Sequence, residues 1–337
     1  MDKQPHSAGN GKVYFSKTKR LHKVNLQIWV VLTMTLLIFI GMSATIPYYA
    51  SWINIEIMLG NYVMEGIMAL GMTLVIISGG IDLSISGLMP FSAIVFAYMM
   101  KAGTAWQLSM LVVLLFAALV GFLNDLMIKR LKVHPFAVTL AMQLILKGTN
   151  VIITSGDVVS GFPKEFTRAI FKDYFGLSIP VIVLLVLAIF YLIMLRKNRY
   201  FRNVYFVGGN TAAAELSGIN TKHYFRFIYM QSSILAGIAG IMACFIYGSA
   251  NASYGINIET RVITAVAIGG TSMIHGGFGS IGGTLLGWIF VATIYGSFIM
   301  SGVSTYYQDV VTGVLLVFAV VFSERLKGIQ IKGRKKR

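Results

Sequence analysis

Ten apolar stretches, separated by short polar or basic segments, constrain the fold of this chain more than any other feature of its sequence. A helix of roughly 20 apolar residues crosses a bilayer, and a helix pairs its backbone polar groups internally, as hydrocarbon requires. The pattern therefore predicts an all-α polytopic membrane protein with about ten transmembrane helices, some of them short or broken. The stretches cover residues 26–46, 60–79, 83–100, 106–128, 135–154, 179–195, 227–247, 261–275, 280–300 and 307–323.

The number and placement of the charged residues support this interpretation. Only 12% of the residues are charged and 56% are hydrophobic, whereas soluble domains carry about 25% charged residues. If the N-terminus is cytoplasmic, 22 of the 28 Lys and Arg residues fall in cytoplasmic segments, as the positive-inside rule requires. The net charge of +16 thus indicates membrane orientation rather than nucleic-acid binding, and both termini are predicted to be cytoplasmic.

This topology divides the chain into a cytoplasmic N-terminal tail at residues 1–25, a transmembrane domain at residues 26–323 and a basic cytoplasmic C-terminal tail at residues 324–337. The longest cytoplasmic loop of the domain covers residues 196–226. In the external segment at residues 155–178, apolar side chains at helical spacing predict a short helix on the outer surface. That helix either docks an external partner or packs at the membrane interface.

A polar interruption at residues 78–87 lies between two uncharged apolar runs and holds a single carboxylate, Asp82. An aspartate at membrane depth is costly and needs a reason. One interpretation is that Asp82 accepts hydrogen bonds from the backbone N–H groups of Ser84 and Ile85 and shapes a gate or a helix end. The others are that the same bonds have no role in transport, that Asp82 contacts a transported solute directly, or that it couples transport to a proton. The candidate gate residues of this first break are Gly79, Gly80, Asp82 and Ser84.

A second glycine-rich break follows the short eighth stretch, and transporters often carry broken helices in corresponding halves. The two breaks therefore favour a pair of interrupted segments along a translocation path. Gly283 and Gly287 have the G-x-x-x-G spacing of a close helix-packing face. The candidate gate residues of this second break are Gly269, Gly270, Thr271, Gly276, Gly277 and Gly279.

The loop at residues 196–226 contains a predicted helix that is too short to be stable alone in water. Asn210 or Thr211 can cap its start, residues 212–216 are good helix formers, and Gly218 can end it in the left-handed region. Such a helix, held away from the bilayer, suits insertion into a groove on another protein. The candidate coupling residues are Gly209, Asn210, Thr211, Ala212, Ala213, Ala214, Glu215, Leu216, Ser217 and Gly218.

These motifs resemble those of the permease subunits of bacterial ATP-binding-cassette (ABC) importers for ribose and other simple sugars. The similarity runs from about residue 26 to residue 325 and keeps the order and spacing of the family. The matching segments are ALGMTLVIISGGIDLS at residues 69–84, VGGNTAAAELSGI at 207–219, AIGGTSMIHGGFGSIGGT at 267–284 and, more weakly, LKVHPFAVTL at 131–140.

The resemblance implies a multi-pass permease of the bacterial cytoplasmic membrane that imports a simple sugar or a sugar-like solute. It implies as partners two cytoplasmic ATPase subunits, a second copy or a sister permease, and an extracytoplasmic sugar-binding protein. The ATPase would bind ATP and Mg²⁺, and no cofactor is expected in this chain, which has no G-x-x-x-x-G-K-[ST] phosphate loop. The helix at residues 212–216 corresponds to the family's coupling helix, which sits in a cleft of the ATPase. The chain departs from the family pattern at residues 85–87, Lys147 and His275.

Two other function classes stay open. An ion-coupled secondary transporter would use Asp82, and an intramembrane enzyme would use Ser272 and His275, although no elbow motif or orienting group accompanies them. No catalytic residue and no metal site is predicted, because no second ligand stands at metal-binding spacing. Lys147 either snorkels to an interface, which is the favoured interpretation, or pairs with a carboxylate.

A sugar path also needs polar side chains on spanning helices, because solute hydroxyls exchange water for protein hydrogen bonds. The sequence does not rank the candidates, which are Asn61, Thr73, Thr139, Gln143, Asn150, Gln231, Ser232 and Ser233.

Overall fold

The computed structural model describes residues 21–163, Phe166 and residues 176–335. Within these residues the chain forms thirteen α-helices and one 3-10 helix, with no β-strand beyond a single isolated bridge, so the all-α prediction is confirmed there. The first seven helices are α1 (Leu21–Thr45), α2 (Trp52–Asn61), α3 (Val63–Ile77), α4 (Ile85–Lys101), α5 (Trp106–Leu131), α6 (Pro135–Thr154) and α7 (Ile179–Lys197). The other six are α8 (Arg199–Gly209), α9 (Thr211–Leu216), α10 (Thr221–Tyr247), α11 (Ile258–Ile268), α12 (Ile281–Met300) and α13 (Thr305–Lys335), with the 3-10 helix Ala252–Gly255 before α11.

In the described part of the chain, six helices are long and apolar enough to cross a membrane: α1 from Gln27 onward, α5, α6, α7, α10 and α12. The pair α2–α3, bent by 51°, makes a seventh if it counts as one broken span. Helix α4 and the Tyr306–Val321 part of α13 are apolar but shorter. Each of the ten predicted stretches thus contains a helix, and the chain is a multi-pass membrane protein, but length and composition alone support six or seven spans.

Several boundaries differ from those predicted. Helix α8 was not expected, because its sequence is not continuously apolar: Arg199 and Arg202 precede its buried residues Val204 and Val207. The eighth stretch yields only α11, which ends at Gly269 because the chain turns at Gly270, with φ +91°. Helix α1 begins inside the predicted N-terminal tail, and α13 continues through residues 324–335. The rest of that tail, and most of the segment with the predicted outer-surface helix, lie outside the described residues.

Helix α3 lies at the centre of the fold, and each of its residues is buried. Helix α10 packs across α3, α4 and α5, while α11 packs against α3, α12 and α13. A helix that is apolar all round is typical of such an enclosed position. With 15 and 11 residues, α3 and α11 are too short to cross a hydrocarbon core of about 30 Å alone. The surrounding helices allow the non-helical backbone at their ends to lie at membrane depth.

The peripheral helices present large apolar side chains outward, for example Leu37 on α1, Leu115 on α5, Ile152 on α6 and Val186 on α7. In water such a continuous apolar surface would drive association. In a bilayer it is the surface expected to face lipid or a membrane-embedded partner.

The G-x-x-x-G face of α12 packs directly on the last turn of α11. A Cβ added to Gly287 would lie 2.0 Å from the carbonyl oxygen of Ala265, and one added to Gly283 would lie 2.0 Å from that of Gly269. These distances leave no room for a side chain, so the close-packing prediction for both glycines is confirmed.

Substitution Gly287→Ala is therefore expected to lower the apparent Tm of the detergent-solubilised protein, because overpacking typically costs about 1–3 kcal/mol. Gly282→Ala on the same helix is the matched control, since nothing lies within 4 Å of its added Cβ. The control should unfold at or above the wild-type temperature in a thermal scan. Equal unfolding temperatures for the two variants would contradict the close approach of α11 and α12.

Candidate functional site

The first break turns the chain between α3 and α4 around Asp82. This side chain is fully buried, and its Oδ1 accepts hydrogen bonds from the N–H of Ser84 at 3.1 Å and from the Ser84 hydroxyl at 2.5 Å. The predicted bond from the Ser84 N–H is confirmed, but the second donor is the Ser84 hydroxyl rather than the N–H of Ile85. The second carboxyl oxygen, Oδ2, has no hydrogen-bond partner among the described residues.

Helices α5 and α10 enclose the Asp82 carboxyl with further polar groups. Asn124 of α5 donates from Nδ2 to the Ser84 hydroxyl at 2.9 Å. Tyr229 and Ser232 of α10 lie close enough to interact with the carboxyl. A Cβ added to Gly80 would lie 2.6 Å from the Tyr229 hydroxyl. The candidates Gly80, Asp82 and Ser84 therefore share one buried polar cage, while Gly79, with φ +88°, is exposed beside it.

Asp125, the neighbour of Asn124, is absent from the predicted site but lies at its edge. Its carboxylate is 1% exposed and stands 2.5 Å from Lys129 Nζ and 3.3 Å from Arg226 Nε. Because Arg226 lies near the start of α10, its ion pair with Asp125 ties α5 to α10. The signal in the sequence is a carboxylate four residues before a lysine within an apolar stretch, which is the spacing of a helical ion pair.

The second break, between α11 and α12, folds back on itself. The N–H of Thr271 donates to the carbonyl of Val266 and the N–H of Ser272 donates to that of Phe278, both at 3.2 Å. The Ser272 hydroxyl accepts from the backbone N–H of His275 at 3.0 Å. Ser272 and His275 are the two residues of the enzyme hypothesis, and the hydrogen bond between them stabilises a turn.

Helix α9 forms where the coupling residues predict it. Asn210 Oδ1 accepts from the N–H of Ala213 at 3.0 Å, and Gly218 has φ +79°, so the predicted cap and the left-handed end are both confirmed. Glu215 accepts a hydrogen bond from the hydroxyl of Thr221, the first residue of α10. Leu216 is 91% exposed, so this short helix is anchored to α10 and presents an uncovered apolar side chain.

The two breaks and the loop meet at one backbone junction. The N–H of Gly277 donates to the carbonyl of Ile77, the last residue of α3, at 2.7 Å. A Cβ on Gly208 would lie 1.8 Å from that same carbonyl oxygen, and one on Gly276 would lie 2.3 Å from the Gly208 carbonyl oxygen. Gly208 immediately precedes the candidate coupling residues. The structure therefore joins residues of both predicted groups, which the sequence shows only as separate motifs.

Tyr205 of α8 strengthens this junction, because its hydroxyl donates to the carbonyl of Gly279 at 3.2 Å. Burial raises the pKa of the Tyr205 hydroxyl, so the group stays protonated and remains a donor at neutral pH. A Cβ on Gly277 would lie 2.8 Å from the Tyr205 carbonyl oxygen. Helix α8 is thus the surface on which the second break rests.

The remaining candidates lie away from the junction. Gly269 packs against α12, and Gly270 lies beside Gln27 of α1, whose side-chain amide donates to the carbonyl of Ile268 at 3.3 Å. Lys147 Nζ lies 3.6 Å from Glu259 Oε1, so the structure shows the pairing that the sequence left as the less favoured alternative. Among the described residues, no group of three or more His, Cys, Asp or Glu side chains is placed to hold a metal ion.

The described residues form a multi-pass helical membrane domain with two interrupted segments. An exposed short helix is joined to both of these segments. Together these features are typical of a transport permease. The family model for "Branched-chain amino acid transport system / permease component" matches residues 54–320, and the chain belongs to this permease family. This finding confirms the family resemblance of the sequence motifs.

Several relatives with assigned names are import permeases for sugars. The chain is 32% identical over 326 residues to the ribose import permease protein of Escherichia coli strain K12, which covers 94% of this chain and 98% of the relative. It is 31% identical over 281 residues to the ribose import permease protein of Bacillus subtilis strain 168, covering 83% and 87%. It is 30% identical over 288 residues to the D-allose transport system permease protein of E. coli K12, covering 85% and 88%. No solved structure matches the chain.

Substitution Gly208→Ala is expected to separate α8 from the two breaks and to weaken the bond from Gly277 to Ile77. Hydrogen exchange at the Gly277 amide, followed by mass spectrometry of peptides covering residues 273–280, should become faster. Gly209→Ala is the matched control, because nothing lies within 4 Å of its added Cβ, and its exchange should equal that of the wild type. Unchanged hydrogen exchange in Gly208→Ala would show that α8 and the two breaks do not form one structural unit.

Proposed function

We propose that this chain is the transmembrane permease subunit of an ABC importer that moves a simple sugar or sugar-like solute into the cytoplasm. Separate ATPase subunits supply the energy, and they bind ATP and Mg²⁺. The observation that carries the proposal is the backbone junction of Ile77, Gly208 and Gly277. Through it, a force applied to an exposed helix reaches both interrupted segments of the membrane domain. The similarity to ribose and allose permeases over most of the chain supports the sugar assignment.

In the proposed topology, both termini and the loop at residues 196–226 are cytoplasmic, and about ten helical segments cross or enter the bacterial cytoplasmic membrane. The basic residues at 196–202 favour this orientation. Helix α9 then faces the cytoplasm and inserts into the ATPase, with Ala213 and Leu216 as contact residues. A second permease copy or a sister permease completes the path, and an extracytoplasmic binding protein delivers the solute.

The docking of α9 predicts a specific loss of coupling. Ala213→Arg and Leu216→Arg each place a charge on the exposed face of α9 without disturbing its buried residue, Ala214. In proteoliposomes that hold the whole importer, each variant should abolish ATP-driven uptake of labelled ribose and lower the amount of ATPase that co-purifies with the permease.

His223→Arg is the control for these variants, because it adds a charge to an exposed position of the same loop outside α9. It should retain both uptake and ATPase binding. Full assembly and uptake in Leu216→Arg and Ala213→Arg would show that α9 is not the coupling helix.

The ion-coupled alternative is motivated by the unpartnered Asp82 Oδ2. Under our proposal Asp82 holds the start of α4, a role that asparagine can partly replace because its Oδ1 still accepts hydrogen bonds. Asp82→Asn should therefore retain ATP-dependent uptake within about tenfold of the wild type, whereas Asp82→Ala should lose more because the Ser84 donors are left unpaired. Uptake should need ATP and persist with a protonophore present. ATP-independent uptake that a protonophore and Asp82→Asn both abolish would favour the ion-coupled transporter.

A further inference from the structure

A second polar cluster lies on the opposite side of α4's first turn from the Asp82 cage. Gln143 of α6 donates from Nε2 to the Ser86 hydroxyl at 2.7 Å and to Glu259 Oε1 at 2.6 Å. Lys147, one helical turn further along α6, pairs with the same Glu259 oxygen at 3.6 Å. Three helices therefore contribute to the cluster, since Ser86 lies on α4 and Glu259 on α11.

The Lys147–Glu259 pair is longer and more exposed than the other ion pair of α11. The side chains of Lys147 and Glu259 are 35% and 15% exposed, although Lys147 lies well inside an apolar helix. Arg261 and Glu65 are joined at the shorter distance of 3.0 Å, and their side chains are 23% and 4% exposed. An ion pair that is partly exposed at membrane depth is costly against lipid, and such residues face a water-filled cavity or the protein interior. The exposed side of the cluster is thus expected to face water.

The pairing within the cluster is incomplete. Both Gln143 and Lys147 contact Glu259 Oε1, whereas Glu259 Oε2 is buried and has no hydrogen-bond partner among the described residues. The Lys147 ammonium has three donors, and Glu259 lies at the long distance of 3.6 Å. The cluster therefore offers one strong acceptor and spare donors next to each other, while its net charge is zero.

We infer that Gln143, Lys147 and Glu259 form a contact site for a neutral polyhydroxylated solute on its way through the membrane. A solute hydroxyl donates to Glu259 Oε2, and a neighbouring solute oxygen accepts from Lys147 Nζ. Adjacent hydroxyls both donate and accept, so a polyol matches this pair, and charge neutrality gives no preference for an ionic solute. The inference rests on the proposed function, because it assigns the point in the path at which the imported solute touches this chain.

The site lies next to the first break and at the opposite end of α11 from the second break. Ser86 lies in the first turn of α4, directly after the first break, and Glu259 lies in the first turn of α11, which leads into the second break. Gln143 bridges the two. A solute that competes for Glu259 therefore alters the contact between α4 and α11 beside the first break.

Thiol labelling tests the water-facing side of the cluster independently of which solute is carried. Cys244 is the single cysteine of the chain and is buried, so Cys244→Ser provides a cysteine-free background. In this background Lys147→Cys, in intact cells that express the whole importer, should react with a charged, membrane-impermeant methanethiosulfonate at least about tenfold faster than Ile145→Cys, because the reactive thiolate requires water. Ile145 is the matched control, since it is 61% exposed, lies two residues away and faces another side of α6.

Uptake per ATP hydrolysed tests the contact with solute. In proteoliposomes with the whole importer, Glu259→Gln should lower the amount of labelled ribose or allose imported per ATP by about tenfold, the size expected for a lost hydrogen bond to a charged group. Asp157→Asn makes the same chemical change at an exposed carboxylate outside α4, α6 and α11 and should keep the wild-type ratio.

The labelling and uptake experiments test different parts of the inference. Equal labelling of Lys147→Cys and Ile145→Cys would overturn the water-facing site, and a wild-type ratio in Glu259→Gln would overturn the solute contact. If the wild-type importer takes up neither sugar, the proposed sugar import is contradicted, while the labelling rates still decide the site.

Discussion

Backbone polar groups that leave a helix at membrane depth need partners within the protein, and the architecture of this chain depends on how that need is met. In both breaks, some backbone groups form hydrogen bonds within the local turn, as in the bond from the Gly80 N–H to the Val75 carbonyl at 3.0 Å. They then satisfy each other through the bond from Gly277 to Ile77. Glycine at 208 and 276 is what lets three backbone segments approach closely enough for this. The end of α3 and the second break therefore form one unit, and α8 rests against it.

Polar side chains extend this unit in two directions from α4. On one side, Ser84 links Asp82 to Asn124, and the adjacent Asp125 holds Arg226 near the start of α10. On the other, Ser86 links to Gln143 and through it to Glu259. Hydrogen bonds in such a low-dielectric interior are strong when made and costly when broken. A change in the first turn of α4 thus reaches α5, α6, α10 and α11 together.

Local patterns in the sequence were sufficient for the features that depend on neighbouring residues. The Asn210 cap, the left-handed Gly218, the bond from the Ser84 N–H to Asp82 and the packing face of Gly283 and Gly287 each follow from residues a few positions apart. The orientation in the membrane and the roles of the site residues stay predictions.

Features that join distant parts of the chain could not be predicted from one sequence. The partner of Lys147 lies 112 positions away in the chain at Glu259, and no periodicity indicates such a pair, so snorkelling was the simpler expectation. Gly208 and Gly277 each read as loop glycines, and only the fold places them against Ile77. Helix α8 was missed for a different reason, because a search for long apolar stretches passes over an amphipathic helix whose apolar face is narrow.

Helix α11 connects the two ends of the proposed machinery. Its first turn carries Glu259 at the solute-contact cluster, and its last turn leads through Gly269 into the break that holds Gly277 at the junction. With 11 residues at about 1.5 Å each, it spans roughly 17 Å, and its interior residues are almost wholly buried between α3, α12 and α13. A short helix that is packed on several sides moves as a rigid body rather than bending, because close-packed interiors transmit strain. Under the proposed function, movement imposed at the junction by α9 would displace Glu259 relative to Gln143, and ATP-driven motion on one side would alter solute contact on the other.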